Sequence, residues 1–253
     1  MATTGNFLKC LNLGSYNYLG FADDWKNTCK KQVFDAVSQW PNSACSSRLD
    51  FGSNTIHEEL ERTVADFVGK ECAIVYAMGY GTNATTIPIL MGKESLIISD
   101  SLNHTSIVNG ARAAEASIRV FRHNDPAHLE EILREAIIKG QPRHHRAWKK
   151  ILVMVEGIYS MEGAICNLKE IVRVCKKYRA FIYVDEAHSI GALGRTGRGV
   201  CEHTGVDPSD IGEHAILPSL STQLLLNSPS APLFRLSDIL MGTFTKVSAS
   251  DTF

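Results

Sequence analysis

Phe-Ile-Tyr-Val-Asp-Glu-Ala-His-Ser-Ile-Gly, residues 181–191, decides how the rest of the chain reads. The apolar run Phe181–Val184 stops at Asp185, and His188 and Gly191 follow. A short apolar run ending in a carboxylate reads as a buried parallel strand that carries the acid to the carboxyl edge of a sheet. Open α/β sheets bind ligands at that edge. An Asp there can serve a magnesium ion, a ribose hydroxyl or a protonated ring nitrogen. It can equally cap the turn that follows. The stretch alone leaves these readings open.

Upstream the same rhythm repeats. Strands are expected at Ala73–Ala77, Leu96–Ser99, Ile118–Phe121 and Ile151–Val155, with Phe181–Val184 as the fifth. Two of them also stop at acids, Asp100 and Glu156. Between strands lie helical stretches. One follows a Gly79-Tyr80-Gly81-Thr82-Asn83 turn and reaches Leu90; another opens at Asn103-His104-Thr105-Ser106 and reaches Ala116. A third has Asp125 as N-cap and Pro126 as first helical residue and runs to Lys139. A fourth opens at Asn167 or Leu168 and ends near Lys177.

Nearer the start, spacing predicts a helix over 26–39 with Val33, Phe34 and Val37 apolar. A second covers 57–69, with Leu60, Val64, Phe67 and Val68 on one face and Gly69 as its stop. Residues 42–54 read as a polar loop whose Arg48 either meets an anion or is solvated. Residues 11–21 read as a short strand and turn. The alternation predicts an α/β fold, a mostly parallel sheet with helices on both faces. The expected division is an arm and helix segment over 1–56 and an α/β domain over 57–253.

Composition narrows the function classes. A chain of 253 residues can bury a substantial core. Its net charge of −1 gives no global field for nucleic acid or anionic membrane. The seven cysteines form no Cys-x-x-Cys pair, so zinc and a disulfide framework are not suggested. No run of about 18 apolar residues predicts a membrane span, and the first residues carry no basic and apolar leader pattern. Neither a Walker loop nor a dinucleotide Gly-x-Gly-x-x-Gly follows a strand, which argues against a nucleotide-binding protein. The basic stretch 139–150 reads as a solvated insertion loop. Residues 212–237 are rich in Ser, Leu and Pro and read as a poorly specified loop.

Five polar signals fall at strand ends or their turns: Gly79-Tyr80, Asn103-His104, Ser160 after Glu156, Asp185 with His188, and Thr243, Thr245 and Lys246 after Ile239-Leu240. A Lys can condense with an aldehyde. A carboxylate can keep a pyridine nitrogen protonated so that the ring accepts electrons. One imidazole can lie on an aromatic ring and another can meet a phenolic oxygen. Backbone N–H groups at a Gly turn before a helix can hold a phosphate. In this order and placement they describe a pyridoxal phosphate site.

With those stretches in hand, the chain resembles the α-oxoamine synthase family of fold-type I pyridoxal phosphate enzymes. The resemblance covers 11–210 and 238–246. It is carried by Leu-Gly-Ser-Tyr-Asn-Tyr-Leu-Gly-Phe (13–21), Ser-Asp-Ser-Leu-Asn-His-Thr-Ser (99–106), Val-Glu-Gly-Ile-Tyr-Ser-Met-Glu-Gly (155–163), Asp-Glu-Ala-His-Ser-Ile-Gly-Ala (185–192) and Gly-Thr-Phe-Thr-Lys (242–246). Gly-Gln-Pro-Arg (140–143) favours the branch that condenses L-serine with palmitoyl-CoA, releasing carbon dioxide and forming 3-oxosphinganine.

The resemblance implies the roles. Lys246 would condense with the cofactor aldehyde and later move protons at the substrate Cα. Asp185 would pair with the pyridine nitrogen, and His188 and Ser160 would lie near the ring oxygen. His104 would stack on the ring and help recognise the substrate carboxylate. Gly79, Tyr80 and Thr245 would contact the phosphate, and Asn17 would lie near the substrate. No metal is implied. The resemblance also implies a heteromeric partner subunit and a place on the cytosolic face of the endoplasmic reticulum membrane, although this chain shows no span of its own.

The chain departs from the family at two places. About 26 residues, 212–237, are inserted before the lysine strand. After Lys246 the family continues into a small C-terminal domain, whereas this sequence reads Val-Ser-Ala-Ser-Asp-Thr-Phe over 247–253. The expectation is a large domain without its small domain, probed best by asking whether imine chemistry survives. Two alternatives stay open: another α-oxoamine synthase, or a non-catalytic truncated form that acts by subunit interaction.

Overall fold

The computed structural model describes residues 15–17, 19–41, 43–211 and 239–242, with backbone alone for 21–24 and 239–240. Insertion 212–237, tail 247–253, Thr243, Thr245, Lys246 and residues 11–14 and 18 of the expected 11–21 element lie outside the described residues.

Five parallel strands form one sheet in the order β2-β1-β3-β4-β5. They are β1 (Ser95–Asp100), β2 (Ser117–Phe121), β3 (Lys150–Glu156), β4 (Phe181–Asp185) and β5 (Ile239–Met241). The helices are α1 (Phe21–Thr28), α2 (Lys30–Gln39), α3 (Thr55–Val68), α4 (Gly79–Leu90), α5 (Thr105–Ala113), α6 (Pro126–Lys139), α7 (Leu168–Tyr178) and α8 (Val200–Thr204).

Alternation along the strands builds two cores. Ile97, Leu152, Met154 and Tyr183 point to one face, where Ile87 of α4 and Ile107 of α5 cover them. Leu96, Ile98, Val153, Ile182 and Val184 point to the other, against Leu129 and Leu133 of α6 and Ile171 and Cys175 of α7. Both faces are therefore buried, which is why the strands read as continuous apolar runs. The chain goes from β1 outward to β2, then returns past β1 to β3. The strand order thus reverses between β1 and β3, and open α/β sheets bind ligands at the carboxyl side of such a point.

The caps follow expectation. Asp125 accepts from the His128 N–H ahead of Pro126, and Gly69 closes α3 at φ 71°. Asn54 and His57 add a reciprocal capping box at the start of α3.

Five local expectations are corrected. Ala73–Ala77 joins no sheet among the described residues. Side chains take its backbone groups instead: the Val75 N–H donates to Glu61 Oε1 at 2.9 Å, and Arg48 Nη1 donates to the Val75 carbonyl at 3.2 Å. Arg48 also pairs with Glu61 at 2.5 Å, so its anion is internal. That pairing turns Glu61, Ala65 and Val68 inward on α3 and leaves Leu60 and Phe67 partly exposed. The stretch 26–39 is two helices broken at Cys29, and Val33, Phe34 and Val37 lie exposed on α2. The Gly79–Asn83 turn is itself the first turn of α4, with Met78 as N-cap. α5 stops at Ala113, short of Ala116.

Candidate active site

Three carboxylates end adjacent strands: Asp100 on β1, Glu156 on β3 and Asp185 on β4. Each has a different duty. Asp100 accepts from the backbone N–H of Leu102 at 2.9 Å and of Asn124 at 2.8 Å, and lies 3.0 Å from His123 Nδ1. It ties two loops together. Glu156 accepts from the His104 backbone N–H. Asn103 donates to Ser99 Oγ at 2.9 Å and across to the Met154 carbonyl at 2.8 Å. These bonds fix the His104 turn over the β1–β3 reversal.

Asp185 is buried. Its Oδ1 accepts from the Ala187 N–H at 2.8 Å, so the turn-capping reading holds for that oxygen. Its Oδ2 accepts from Asn83 Nδ2 at 2.8 Å. Asn83 lies one turn into α4, so this bond brings the glycine-containing start of that helix to the strand end. No side chain caps α4 at Met78. The first N–H groups of Gly79, Tyr80 and Gly81 have no partner inside the helix, as at any helix start. A helix N-terminus of this kind favours a phosphate.

His104 is the N-cap of α5, with Nδ1 accepting from the Ser106 N–H at 3.2 Å. Its ring stands edge-on to Tyr80, with centroids 6.4 Å apart. The Tyr80 hydroxyl accepts from Asn109 at 2.6 Å. His188 is buried, edge-on to Tyr16 at 6.2 Å, next in sequence to Asn17. Asn17 accepts the Gly20 N–H at its carbonyl. Ser160 is exposed on the turn after β3. Thus Gly79, Tyr80, His104 and Asp185 are linked through α4, α5 and β4. His188 meets Tyr16, the residue before Asn17.

Residues 9–227 match the model of the aminotransferase class I and II family. The chain belongs to the aminotransferase class I and II family. It is 56% identical over 238 residues to long chain base biosynthesis protein 2b of Arabidopsis thaliana, covering 94% of this chain and 43% of that protein. It is 48% identical over 244 residues to serine palmitoyltransferase 2 of Dictyostelium discoideum, covering 96% and 44%. The chain therefore spans less than half the length of these curated relatives. Among solved structures it is similar to a Sphingomonas wittichii serine palmitoyltransferase, with TM-score 0.72, 32% identity, and 88% of this chain and 57% of that chain covered. It is also similar to a serine palmitoyltransferase variant from S. paucimobilis with bound PLP-myriocin aldimine. That likeness has TM-score 0.68, 37% identity, and 76% and 46% coverage. The fold-type I large-domain expectation is met.

In this family member the second acid of the motif, Glu186, is structural. It is buried and accepts from the Val200 N–H at 3.0 Å and from the Ser189 hydroxyl. It therefore caps α8 from a distance. A Cβ on Gly199 would come within 2.5 Å of the Glu186 carboxylate, and Gly199 sits at φ 87°, so only glycine fits there. Burial pushes the Glu186 carboxyl up, against the hydrogen bonds that favour its ion. The unfolded carboxyl titrates near 4.5 and the folded one above it. In that window the folded chain holds the extra proton, so this contribution is full below the window and is lost as pH rises through it. Urea unfolding as pH rises above about 4.5 should show a downward slope from this group, at most about 1.4 kcal/mol per pH unit. Glu186→Gln should lack that component; an unchanged slope would exclude Glu186 as its source.

Three site residues escaped the sequence reading: Asn83, Ser106 and Tyr183. Two carried a signal. Tyr183 is two residues before Asp185 and shares its strand face, and Asn83 is the polar intruder in an apolar helix. Burial also raises the Tyr183 hydroxyl well above its usual range, helped by the negative charge of Asp185, so it stays a donor.

Proposed function

We propose that this chain carries the cofactor site of a serine palmitoyltransferase, which condenses L-serine with palmitoyl-CoA to 3-oxosphinganine with release of carbon dioxide and coenzyme A. The observation that carries the reading is the Asn83–Asp185 bond. It joins a buried strand-end carboxylate to a helix whose N-terminus has no side-chain cap. This donor set fits pyridoxal phosphate: an anion for a protonated ring nitrogen, backbone N–H groups for a phosphate, and an imidazole beside both. When bound, the group supplies a reactive aldehyde and an electron-accepting pyridine ring.

The protein's part follows from its own groups. Asp185 keeps a proton on the ring nitrogen through charge. Gly79 and Tyr80, at the start of α4, orient the phosphate. His104 faces the ring and the substrate carboxylate, and His188 and Ser160 serve the ring oxygen. Lys246 and Thr245 lie outside the described residues; Lys246 would supply the amine for the aldehyde and move the proton at the substrate Cα, Thr245 would contact the phosphate, and Asn17 would lie near the substrate. The same reading includes a heteromeric partner subunit and the cytosolic face of the endoplasmic reticulum. No described helix is long and apolar enough to cross a membrane.

Purified chain mixed with pyridoxal phosphate and reduced with borohydride tests this. A visible band should be bleached, and one pyridoxyl group should be retained on Lys246 by peptide mass. Lys246→Ala should retain none. Folded wild-type protein that retains none would remove the catalytic reading and favour a subunit acting by interaction. Retention on Lys246 followed by turnover with glycine in place of serine would move the chain to another α-oxoamine synthase.

A further inference from the structure

Asn83, Ser106 and Tyr183 are each no more than 1% exposed, and none of them has been given a chemical role of its own. They form one continuous chain of hydrogen bonds. The Tyr183 hydroxyl donates to Asn83 Oδ1 at 2.6 Å. Asn83 Nδ2 donates to Asp185 Oδ2 at 2.8 Å and to Ser106 Oγ at 2.9 Å. Ser106 Oγ lies 2.7 Å from His104 Nδ1.

The direction of that chain is determined by chemistry. A carboxamide has two N–H hydrogens and one acceptor oxygen. Here the oxygen faces Tyr183, whose hydroxyl stays protonated, so both hydrogens must point at Asp185 and Ser106. Reversing the amide would set its NH2 against the Tyr183 hydroxyl and its oxygen against the Asp185 carboxylate. Ser106 Oγ, accepting from Asn83, turns its own hydrogen to His104 Nδ1. The Ser106 backbone N–H can only donate, and it points to the same nitrogen at 3.2 Å. His104 Nδ1 is thereby an acceptor twice over, which leaves the ring hydrogen on Nε2.

We propose that Asn83 is a positioning residue that fixes two groups at once: the orientation of the Asp185 carboxylate, and, through Ser106, the Nε2–H tautomer of His104. The role in catalysis rests on the pyridoxal phosphate reading above, in which Asp185 meets the ring nitrogen and His104 the ring. One amide then aligns the groups that contact the cofactor from β4 and from α5. Outer partners of this kind commonly change affinity or activity by about 10–100-fold when removed.

The tautomer can be read without any cofactor. Long-range ¹H–¹⁵N spectra of the cofactor-free full chain report both ring nitrogens of His104, assigned by their loss in His104→Gln. The wild type should show an unprotonated Nδ1 and a protonated Nε2. Asn83→Ala, and the isosteric Asn83→Asp in case the alanine variant unfolds, should weaken that preference, because only the Ser106 backbone N–H then remains fixed on Nδ1, with the two nitrogen shifts moving toward each other. Tyr183→Phe leaves both Nδ2 donors in place and should keep the wild-type pattern. Pyridoxal phosphate affinity, from fluorescence quenching, should fall about tenfold in the Asn83 variants. A wild-type His104 pattern in folded Asn83→Asp would overturn the inference. A wild type that binds no pyridoxal phosphate, while its His104 tautomer still responds to Asn83, would remove the cofactor reading and leave the positioning intact.

Discussion

Asp185→Asn is expected to lower turnover at least about 100-fold, the scale seen when one preorganised charge-stabilising group is lost, and to weaken pyridoxal phosphate binding. Two physical effects act together. In the proposed cofactor site, the substitution would remove the negative charge that would hold a proton on the pyridine nitrogen. It also breaks local hydrogen bonding, because both oxygens now accept from N–H donors, Oδ1 from Ala187 and Oδ2 from Asn83. An amide has one oxygen, so whichever way it turns, its NH2 meets another donor. Asn83 cannot flip to compensate without opposing the Tyr183 hydroxyl. A buried polar group left unpaired costs about 1–3 kcal/mol. Cofactor titration and thermal unfolding of the cofactor-free protein would separate the two effects. Wild-type affinity and turnover in Asp185→Asn would refute the role given to this acid.

Gly110→Ala is expected to destabilise the fold by about 1–3 kcal/mol, the usual cost of forcing atoms into a packed contact. Gly110 lies on α5 against α4. An added Cβ would sit 2.7 Å from the Asn83 carbonyl oxygen and 2.9 Å from Ile87 Cδ1. The carbonyl belongs to helical backbone and cannot step aside, so the two helices must separate. Asn83 and Ser106 lie on those helices, and their 2.9 Å bond would lengthen first. The variant should therefore lose cofactor affinity as well as stability. Urea unfolding midpoints beside fluorescence titration would measure both. An unchanged midpoint would mean that the helices do not meet as closely as Gly110 and Asn83 place them.

Much of the fold was legible because its causes are local. The apolar runs of β1, β3 and β4 were each read within two residues of their bounds, since strands buried on both faces need no partner pattern to stand out. α6 was read at both ends because Asp125-Pro126 and Lys139-Gly140 are terminal signals in themselves. The errors fall where distant residues decide. Ala73–Ala77 has strand composition, yet Glu61 and Arg48 take its backbone groups. The inward face of α3 is set by the same pair, so hydrophobic spacing misjudged it.

By itself the sequence determined the element order, the parallel sheet and the acids at the strand ends, because period, caps and breakers act over a few residues. It also placed His104, Asp185 and His188 just past those ends, whereas Gly79 and Tyr80, expected after a strand, open α4 instead. Tertiary structure alone decided which acid does what: Asp100 ties loops, Glu156 holds the His104 turn, Glu186 caps α8, and Asp185 faces Asn83. Those partners lie between 14 and 102 residues apart in sequence for the last two acids. Their pairing depends on the order β2-β1-β3-β4-β5 and on where α4 lies across it. A carboxylate's chemistry is set by the donors around it, and only the folded chain brings those donors together.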